Sequence, residues 1–171
     1  MNAEMMEKIR AFLYREARLL DEERWDEWLE CYDERASFWM PAWDDDDTLT
    51  EDPQREISLI YYPDRSGLED RVFRIKTDRS SATIPDTRTS HNISNIELES
   101  QDGDVVTVRF NWHTLSHRYQ SNYTHFGFSR YVIDLAADTA TADTKNTPKI
   151  MSKYVVLKND YIHHVIDIYH I

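Results

Sequence analysis

The hydrophobic period changes along the chain, and this change constrains the fold more than any other feature. Near the N-terminus apolar residues recur every three or four positions, as on one face of a helix; they are Met6, Ile9, Leu13, Ala17 and Leu20. From Arg88 onward the period is two, as in strands with one buried face. The clearest example is Val106, Val108, Phe110 and Trp112, which alternate with polar residues. Helices followed by adjacent strands predict an α+β fold, with helices packed on one face of a mainly antiparallel sheet.

Further patterns predict the remaining elements. Trp25, Trp28, Leu29 and Tyr32 predict a second helix, with Asp21 as its N-cap. Ser66 and Glu69 have the spacing of a capping box at the start of a third helix. Besides the alternating strand above, strands are predicted at residues 36–40, 57–62, 124–135, 150–157 and 165–171. A turn at 101–104 and loops at 43–47 and 136–148 separate elements. A strongly curved sheet wrapped over helices, the cone of nuclear-transport-factor-2-like folds, suits this order.

Composition excludes several classes of protein. The 171 residues suffice for one domain with a hydrophobic core, so we expect a single domain over 1–171. A net charge of −12 disfavours nucleic acid and anionic membrane surfaces as partners. The lone cysteine, Cys31, fits a reducing compartment. Without a signal-peptide pattern or a long apolar run, we expect a soluble cytoplasmic protein.

The candidate metal ligands do not form a convincing centre. A Rieske cluster needs two cysteines and two histidines, which a single cysteine cannot supply. A mononuclear iron needs two histidines and a carboxylate on one side of the metal. The best set for that purpose is Asp160, His163, His164, Asp167 and His170. The β-branched run after His164 favours a strand, on which His163 and His164 would point to opposite faces. His113 and His117 would share a strand face but lie roughly 13 Å apart, too far for one metal.

Two other functions stay open from the residues alone. A cone can hold an acid–base pocket, for which His91, His113, Tyr131 and Asp134 are candidates, although Tyr131 and Asp134 would lie on opposite strand faces. The second alternative is a binding module for a small aromatic ligand, in which some of the 10 Tyr and 5 Trp line the pocket. The same rings can equally fill the interior. Cys31 is expected to be a buried small side chain and not a nucleophile.

Five segments together resemble one family. They are residues 12–20 (FLYREARLL), 57–62 (ISLIYY), 66–77 (SGLEDRVFRIKT), 88–95 (RTSHNISN) and 165–171 (VIDIYHI). In this order they resemble the small (beta) subunits of aromatic-ring-hydroxylating dioxygenases, in the branch that acts on benzoate, toluate and anthranilate. The likeness runs from about Phe12 to the last residue, with local departures at 119–125 and 136–148.

The resemblance implies a structural subunit with the cone-like α+β fold. It implies a large (alpha) subunit that carries a Rieske [2Fe-2S] cluster and a mononuclear non-haem iron, with three copies of each subunit assembled together. A reductase would supply electrons from NADH, and the complex would convert an aromatic carboxylate such as benzoate to a cis-dihydrodiol. For this chain we therefore expect no catalytic, cofactor-binding or metal-binding residues.

Overall fold

The computed structural model describes residues 3–81, 86–136, 147–162 and 164–171. Three helices lie in the first half of the chain. They are α1 (Ala3–Asp21), α2 (Trp25–Leu29) and α3 (Ser66–Ser81). The strands are β1 (Tyr32–Pro41), β2 (Ser58–Tyr62), β3 (Arg88–Asp102), β4 (Val105–Arg118), β5 (Ser121–Asp134) and β6 (Lys149–Leu157). A 3-10 turn spans Ile168–His170. No helix in the described part of the chain is both long enough and apolar enough to cross a membrane.

The six strands form one sheet in the order β2-β1-β6-β5-β4-β3. All neighbours pair antiparallel except β1 and β6, which pair parallel. Along β4, Val106, Val108, Phe110 and Trp112 are buried on the face that meets the helices. The apolar stripe of α1 packs into the same core. The predicted α+β architecture, with helices on one face of a mainly antiparallel sheet, is confirmed.

The long hairpins of the sheet turn on residues with positive φ. Gly103 and Asp104 link β3 to β4, as predicted, and Gly103 has a φ of +59°. Tyr119 and Gln120 link β4 to β5 with φ of 49° and 62°. Two consecutive positive values match the twist of the flanking strands, even though neither residue is glycine. This turn lies within a segment where the family resemblance is weak.

The predicted cap of α2 is wrong. Arg24 occupies the N-cap position and makes no side-chain capping bond. Asp21 is instead the last residue of α1, and its carboxylate accepts hydrogen bonds from the backbone N–H of His91 and the hydroxyl of Thr89. A short turn containing Glu23, at φ 59°, separates the two helices, so Asp21 is able to reach β3.

The capping box predicted at Ser66 is also wrong, although the helix begins there. The Ser66 side chain donates to Asp64, whose carboxylate also accepts the Ser66 backbone N–H at 2.9 Å. Glu69 pairs with Arg65 at 2.8 Å. The carboxylate of Asp64, two residues upstream, thus caps the start of the helix in place of the Ser66 hydroxyl.

The C-terminal segment is largely buried from Asp167 onward, whereas Val165 is 88% exposed, and the strand predicted at 165–171 does not form. A 3-10 turn spans Ile168–His170. A true capping box closes this turn: Asp167 caps it, and Nδ1 of His170 accepts the Asp167 backbone N–H at 2.8 Å. Ile168 and Ile171 are buried in the core. Local polar capping has thus overridden the β-branched pattern. The predicted loop at 136–148 falls mostly outside the described residues.

Gly127 tests the close approach of β5 and β6. A Cβ at this position would lie 1.8 Å from the backbone carbonyl oxygen of Val156. Backbone cannot move aside cheaply, so we expect Gly127→Ala to lower the free energy of unfolding by at least about 1–3 kcal/mol. Urea denaturation measures the loss. Gly103→Asn is the control, because asparagine tolerates positive φ and nothing lies within 4 Å of a Cβ there. A Gly127→Ala variant as stable as the parent would contradict the register given for these strands.

Candidate functional site

The interior of the cone is organised around the carboxylate of Glu16. This residue lies on the buried face of α1 and is 3% exposed. Its Oε1 accepts hydrogen bonds at 2.8 Å from the indole N–H of Trp28 and the hydroxyl of Tyr32. The hydroxyl of Tyr131 lies 3.5 Å from the other oxygen, Oε2. These donors come from α2, β1 and β5, so one carboxylate joins three further elements to α1.

Lys153 supplies the counter-charge. It projects from β6 into the core, is 2% exposed, and places Nζ 3.4 Å from Oε1 of Glu16. Nζ also lies 5.1 Å from the ring centres of Phe38 and Tyr131, where the ring faces favour a cation. Burial lowers the pKa of Lys153, and the Glu16 carboxylate opposes this shift. Glu16 and Lys153 thus form a buried ion pair, and hydrogen bonds from neighbouring side chains also stabilise the carboxylate.

The neighbouring acidic groups are held protonated. Burial is the main cause that raises the pKa of Tyr32 and of Tyr131 well above the usual value, and the charge of Glu16 is the second. Burial likewise raises the pKa of Cys31 to about 12. Cys31 is therefore a buried thiol, as predicted, and not an activated nucleophile.

The four candidates for acid–base chemistry do not converge. His91 and Tyr131 both reach the interior, where they line a cavity of about 20 Å³. His113 lies on the exposed face of β4, and Asp134 binds the backbone N–H of Ala136 at 2.9 Å. The structure adds Asp21, whose carboxylate lies 2.5 Å from Nδ1 of His91. This Asp–His pair resembles an acid–base dyad, but the cavity beside it is too small for an organic substrate.

Aromatic side chains fill the cone. Phe110 and Tyr131 meet edge to face with ring centres 4.9 Å apart, and Trp28 and Tyr32 lie at the same separation. Together with Lys153 they occupy the volume between sheet and helices. Around Glu16 these rings therefore form packed core and not the wall of a ligand pocket.

Three histidines cluster under the C-terminal segment. Ring centres of His125, His164 and His170 lie 4.7–5.4 Å apart, and Nε2 of His164 lies 3.2 Å from Nε2 of His170. Nδ1 of His170 accepts a backbone N–H, so its Nε2 carries the proton in the neutral ring and can donate to His164. A protonated nitrogen cannot bind a metal. Among the described residues, no group of three or more potential ligands is arranged to hold a metal ion.

The other predicted ligands are dispersed. Asp167 forms a bidentate ion pair with Arg71 of α3, which fixes the C-terminal segment to that helix. Asp160 is exposed, whereas His163 lies outside the described residues. His117, also exposed, bonds through Nδ1 to Asn122 at 2.6 Å.

The outer face of the sheet carries apolar side chains. Trp39 and Tyr154 meet edge to face at 5.1 Å, Phe128 lies beside Tyr154, and the guanidinium of Arg109 stacks 4.4 Å over Phe128. We call these four residues the outer aromatic strip. Leu115 and Phe126, each nearly half exposed, lie farther along the same face. Apolar surface of this kind is typical of a protein–protein contact.

Sequence reasoning missed Glu16, Lys153 and Asp21, although part of the signal was present. Glu16 falls on the apolar stripe of α1 between Phe12 and Leu20, and a charge on a buried stripe needs a partner. Lys153 alternates with Val155 and Leu157 on the inner side of β6. Nothing in the sequence indicates that Asp21 meets His91.

Comparisons with known proteins agree with the resemblance found in the sequence. The family described as ring hydroxylating beta subunit matches residues 15–164. The beta subunit of benzoate 1,2-dioxygenase from Acinetobacter baylyi is 70% identical over 97% of this chain and 94% of its own length. The beta subunit of toluate 1,2-dioxygenase from Pseudomonas putida is 59% identical over 96% and 97%. A crystal structure of the benzoate 1,2-dioxygenase beta subunit from Burkholderia mallei is similar with a TM-score of 0.80, at 64% identity and 95% coverage of both chains.

The buried ion pair predicts asymmetric effects of substitution. Lys153→Met leaves the Glu16 carboxylate without a counter-charge, and we expect a loss of about 3–5 kcal/mol in the free energy of unfolding. The double variant Glu16→Gln, Lys153→Met should recover most of that loss, because the amide oxygen can still accept from Trp28 and Tyr32. Urea denaturation of the two variants and the parent measures both effects. Equal stability of the single variant and the parent would refute the ion pair.

The histidine cluster predicts loss of stability in mild acid. Burial and neighbouring histidines lower the pKa of His125 to about 4 and of His170 to about 3 from an ordinary 6.5. The unfolded chain takes up protons as pH falls below 6.5, whereas the folded chain does not until near pH 4. Stability should therefore fall between pH 6.5 and 4 by at most about 1.4 kcal/mol per pH unit for each histidine.

Denaturation midpoints between pH 8 and 4 measure this slope. His170→Asn keeps an acceptor for the Asp167 backbone N–H but removes the titrating ring, so its slope should be shallower. His117→Asn, at an exposed site, is the control and should keep the parental slope. An unchanged slope in the His170→Asn variant would contradict the assignment.

Proposed function

Because the chain belongs to the ring-hydroxylating dioxygenase beta-subunit family, we propose that it is the non-catalytic small subunit of a benzoate 1,2-dioxygenase-type enzyme. The observation that carries this proposal is 70% identity to a benzoate 1,2-dioxygenase beta subunit over nearly the full length of both chains. The packing around Glu16 supports the same view, because aromatic rings and one ion pair fill that part of the core. We also propose that residues 1–171 act as one domain.

The chemistry belongs to the large subunit in this proposal. A Rieske cluster and a mononuclear iron on that subunit would carry the electrons and activate dioxygen. The single cysteine of this chain cannot supply the two that a Rieske cluster requires, so its residues do not fit that group. We accordingly assign no catalytic, cofactor-binding or metal-binding role to any residue of this chain.

The proposed reaction adds both atoms of dioxygen to an aromatic carboxylate. Benzoate, dioxygen, NADH and one proton give a cis-dihydrodiol and NAD⁺, so two electrons reduce the oxygen and two protons complete the diol. A reductase delivers the electrons to the large subunit and contacts this chain only through the complex. The names of the two relatives mention benzoate and toluate. The benzoate 1,2-dioxygenase subunit has the higher sequence identity to this chain, at 70% against 59%.

The small subunit would act by assembly. We propose a complex of three large and three small subunits in the cytoplasm. The outer aromatic strip and exposed apolar residues such as Phe73, 70% exposed, provide surface for contacts with the large subunit and with other small subunits. A net charge of −12 would keep the free chain soluble until it meets these partners.

One observation favours a second candidate, a stand-alone acid–base enzyme. The Asp21–His91 pair has the form of a catalytic dyad, with Nε2 of His91 buried. A cavity of about 20 Å³ beside that nitrogen admits nothing larger than a water molecule. Catalysis on an organic substrate would require the core to open, so we rank this candidate second.

Reconstitution separates the two candidates. Coexpression with a large subunit should give a complex with equal numbers of the two chains, and that complex with reductase, NADH and benzoate should form a cis-dihydrodiol. The isolated small subunit should convert no aromatic acid and contain no stoichiometric iron. The large subunit purified alone is the matched control. Turnover of a small acid or ketone by the isolated chain, abolished in a His91→Gln variant, would support the acid–base enzyme instead.

A further inference from the structure

Three buried polar atoms belong to neighbouring residues on the inner face of the sheet, beside the Asp21–His91 pair, and these residues line one cavity. They are Nε2 of His91, the indole N–H of Trp112 and the hydroxyl of Thr114. His91 on β3 pairs directly with Thr114 on β4, and Trp112 lies two residues away on the same face of β4. None of the three has a hydrogen-bond partner among the described residues. Leaving three such groups unpaired in a core would be costly, so a partner is required.

The hydrogen-bonding character of the three atoms limits what that partner can be. The carboxylate of Asp21 lies 2.5 Å from Nδ1 of His91, and an ionised carboxylate can only accept, so Nδ1 carries a proton and donates to it. In the neutral tautomer that this contact selects, Nε2 is an acceptor. The indole of Trp112 can only donate, whereas the hydroxyl of Thr114 can do either. The missing partner must therefore both donate and accept.

The volume of the cavity limits the size of the missing hydrogen-bond partner. All three residues line the cavity of about 20 Å³ inside the cone, together with Glu16 and Lys153. A site needs roughly 10–15 Å³ and two to four polar partners to hold one water molecule, and empty cavities in proteins are lined by apolar groups. This cavity, at about 20 Å³ and with polar side chains in its lining, meets both conditions for one water molecule.

We propose that His91, Trp112 and Thr114 form a binding site for a single structural water molecule. The water accepts from the Trp112 N–H, donates to Nε2 of His91, and shares a hydrogen bond with the Thr114 hydroxyl. A metal cation does not fit, because the Trp112 N–H and the ammonium of Lys153 face the same space. An anion does not fit either, because the carboxylate of Glu16 lines the same cavity.

The site gives the Asp21–His91 pair a structural role. Asp21 at the end of α1 orients His91 on β3, and the water extends that link to β4. A chain of hydrogen bonds then joins the C-terminal end of α1 to two strands of the sheet. In an enzyme the same dyad would direct Nε2 at a substrate, whereas here it is directed at a fixed water.

Substitution of Thr114 tests the proposal, because the change in melting temperature should have opposite signs with and without a bound water. With the water bound, Thr114→Val removes one partner from a buried molecule, and the melting temperature should fall by about 2–4 °C. If no water is bound, Thr114→Val replaces an unsatisfied buried hydroxyl by a methyl group of similar size, and the melting temperature should rise. Thr114→Ser keeps the hydroxyl but loses a methyl group, and it serves as the matched control for bound water.

Crystal structures of the full chain and of the Thr114→Ser variant at better than about 1.5 Å provide the second measurement. We expect one density peak within hydrogen-bonding distance of His91 Nε2, Trp112 Nε1 and the hydroxyl at position 114 in both proteins. A rise in melting temperature for Thr114→Val, or a dry cavity in the parent structure, overturns the proposal. Neither outcome affects the assignment to the dioxygenase family, which rests on the whole chain.

Discussion

The fold depends on one buried carboxylate, which needs hydrogen-bond donors and a counter-charge. Glu16 is buried in an apolar core, where an unpaired charge would be far less stable than in water. Its oxygens meet Trp28, Tyr32, Tyr131 and Lys153, each from a different element. Because the hydrogen bonds tolerate little displacement, they fix where α1, α2, β1, β5 and β6 lie relative to one another. Apolar packing supplies most of the stabilisation, and the carboxylate specifies which packing is adopted.

With its core filled in this way, the chain offers its outer surface for interaction with partners. The core around Glu16 is filled by its ion pair and by aromatic rings. The surface left for interaction is the outer face of the sheet and the exposed ends of the helices. A subunit with a rigid, filled interior offers its partners a surface that does not change when they bind, which suits a scaffold for a catalytic neighbour.

Periodicity predicted the helices and the alternating strands, because one face of each element is buried, and the Asp102–Gly103 pair predicted the β3–β4 turn. Periodicity failed where polar groups decide the local structure. Asp21 and Asp64 bind backbone and side-chain groups that are not evident from spacing, and Asp167 with His170 forms a 3-10 turn within a β-branched run. The interior site needed coordinates, because Glu16, His91 and Lys153 are far apart in the sequence and only the sheet brings them together.

The parallel pairing of β1 with β6 has a consequence for biosynthesis. Tyr32 pairs with Ile150, and Glu16 lies 137 positions before its counter-charge Lys153. At a translation rate of roughly 5–20 residues per second, α1 leaves the ribosome on the order of ten seconds before its partner strand exists. The apolar stripe of α1 has no sheet to cover it until β3 to β5 emerge, and Glu16 lacks its counter-charge until β6 follows. Nascent chains therefore expose this stripe to chaperones, and folding can finish only after β6 emerges, so assembly with partner subunits is deferred until synthesis is nearly complete.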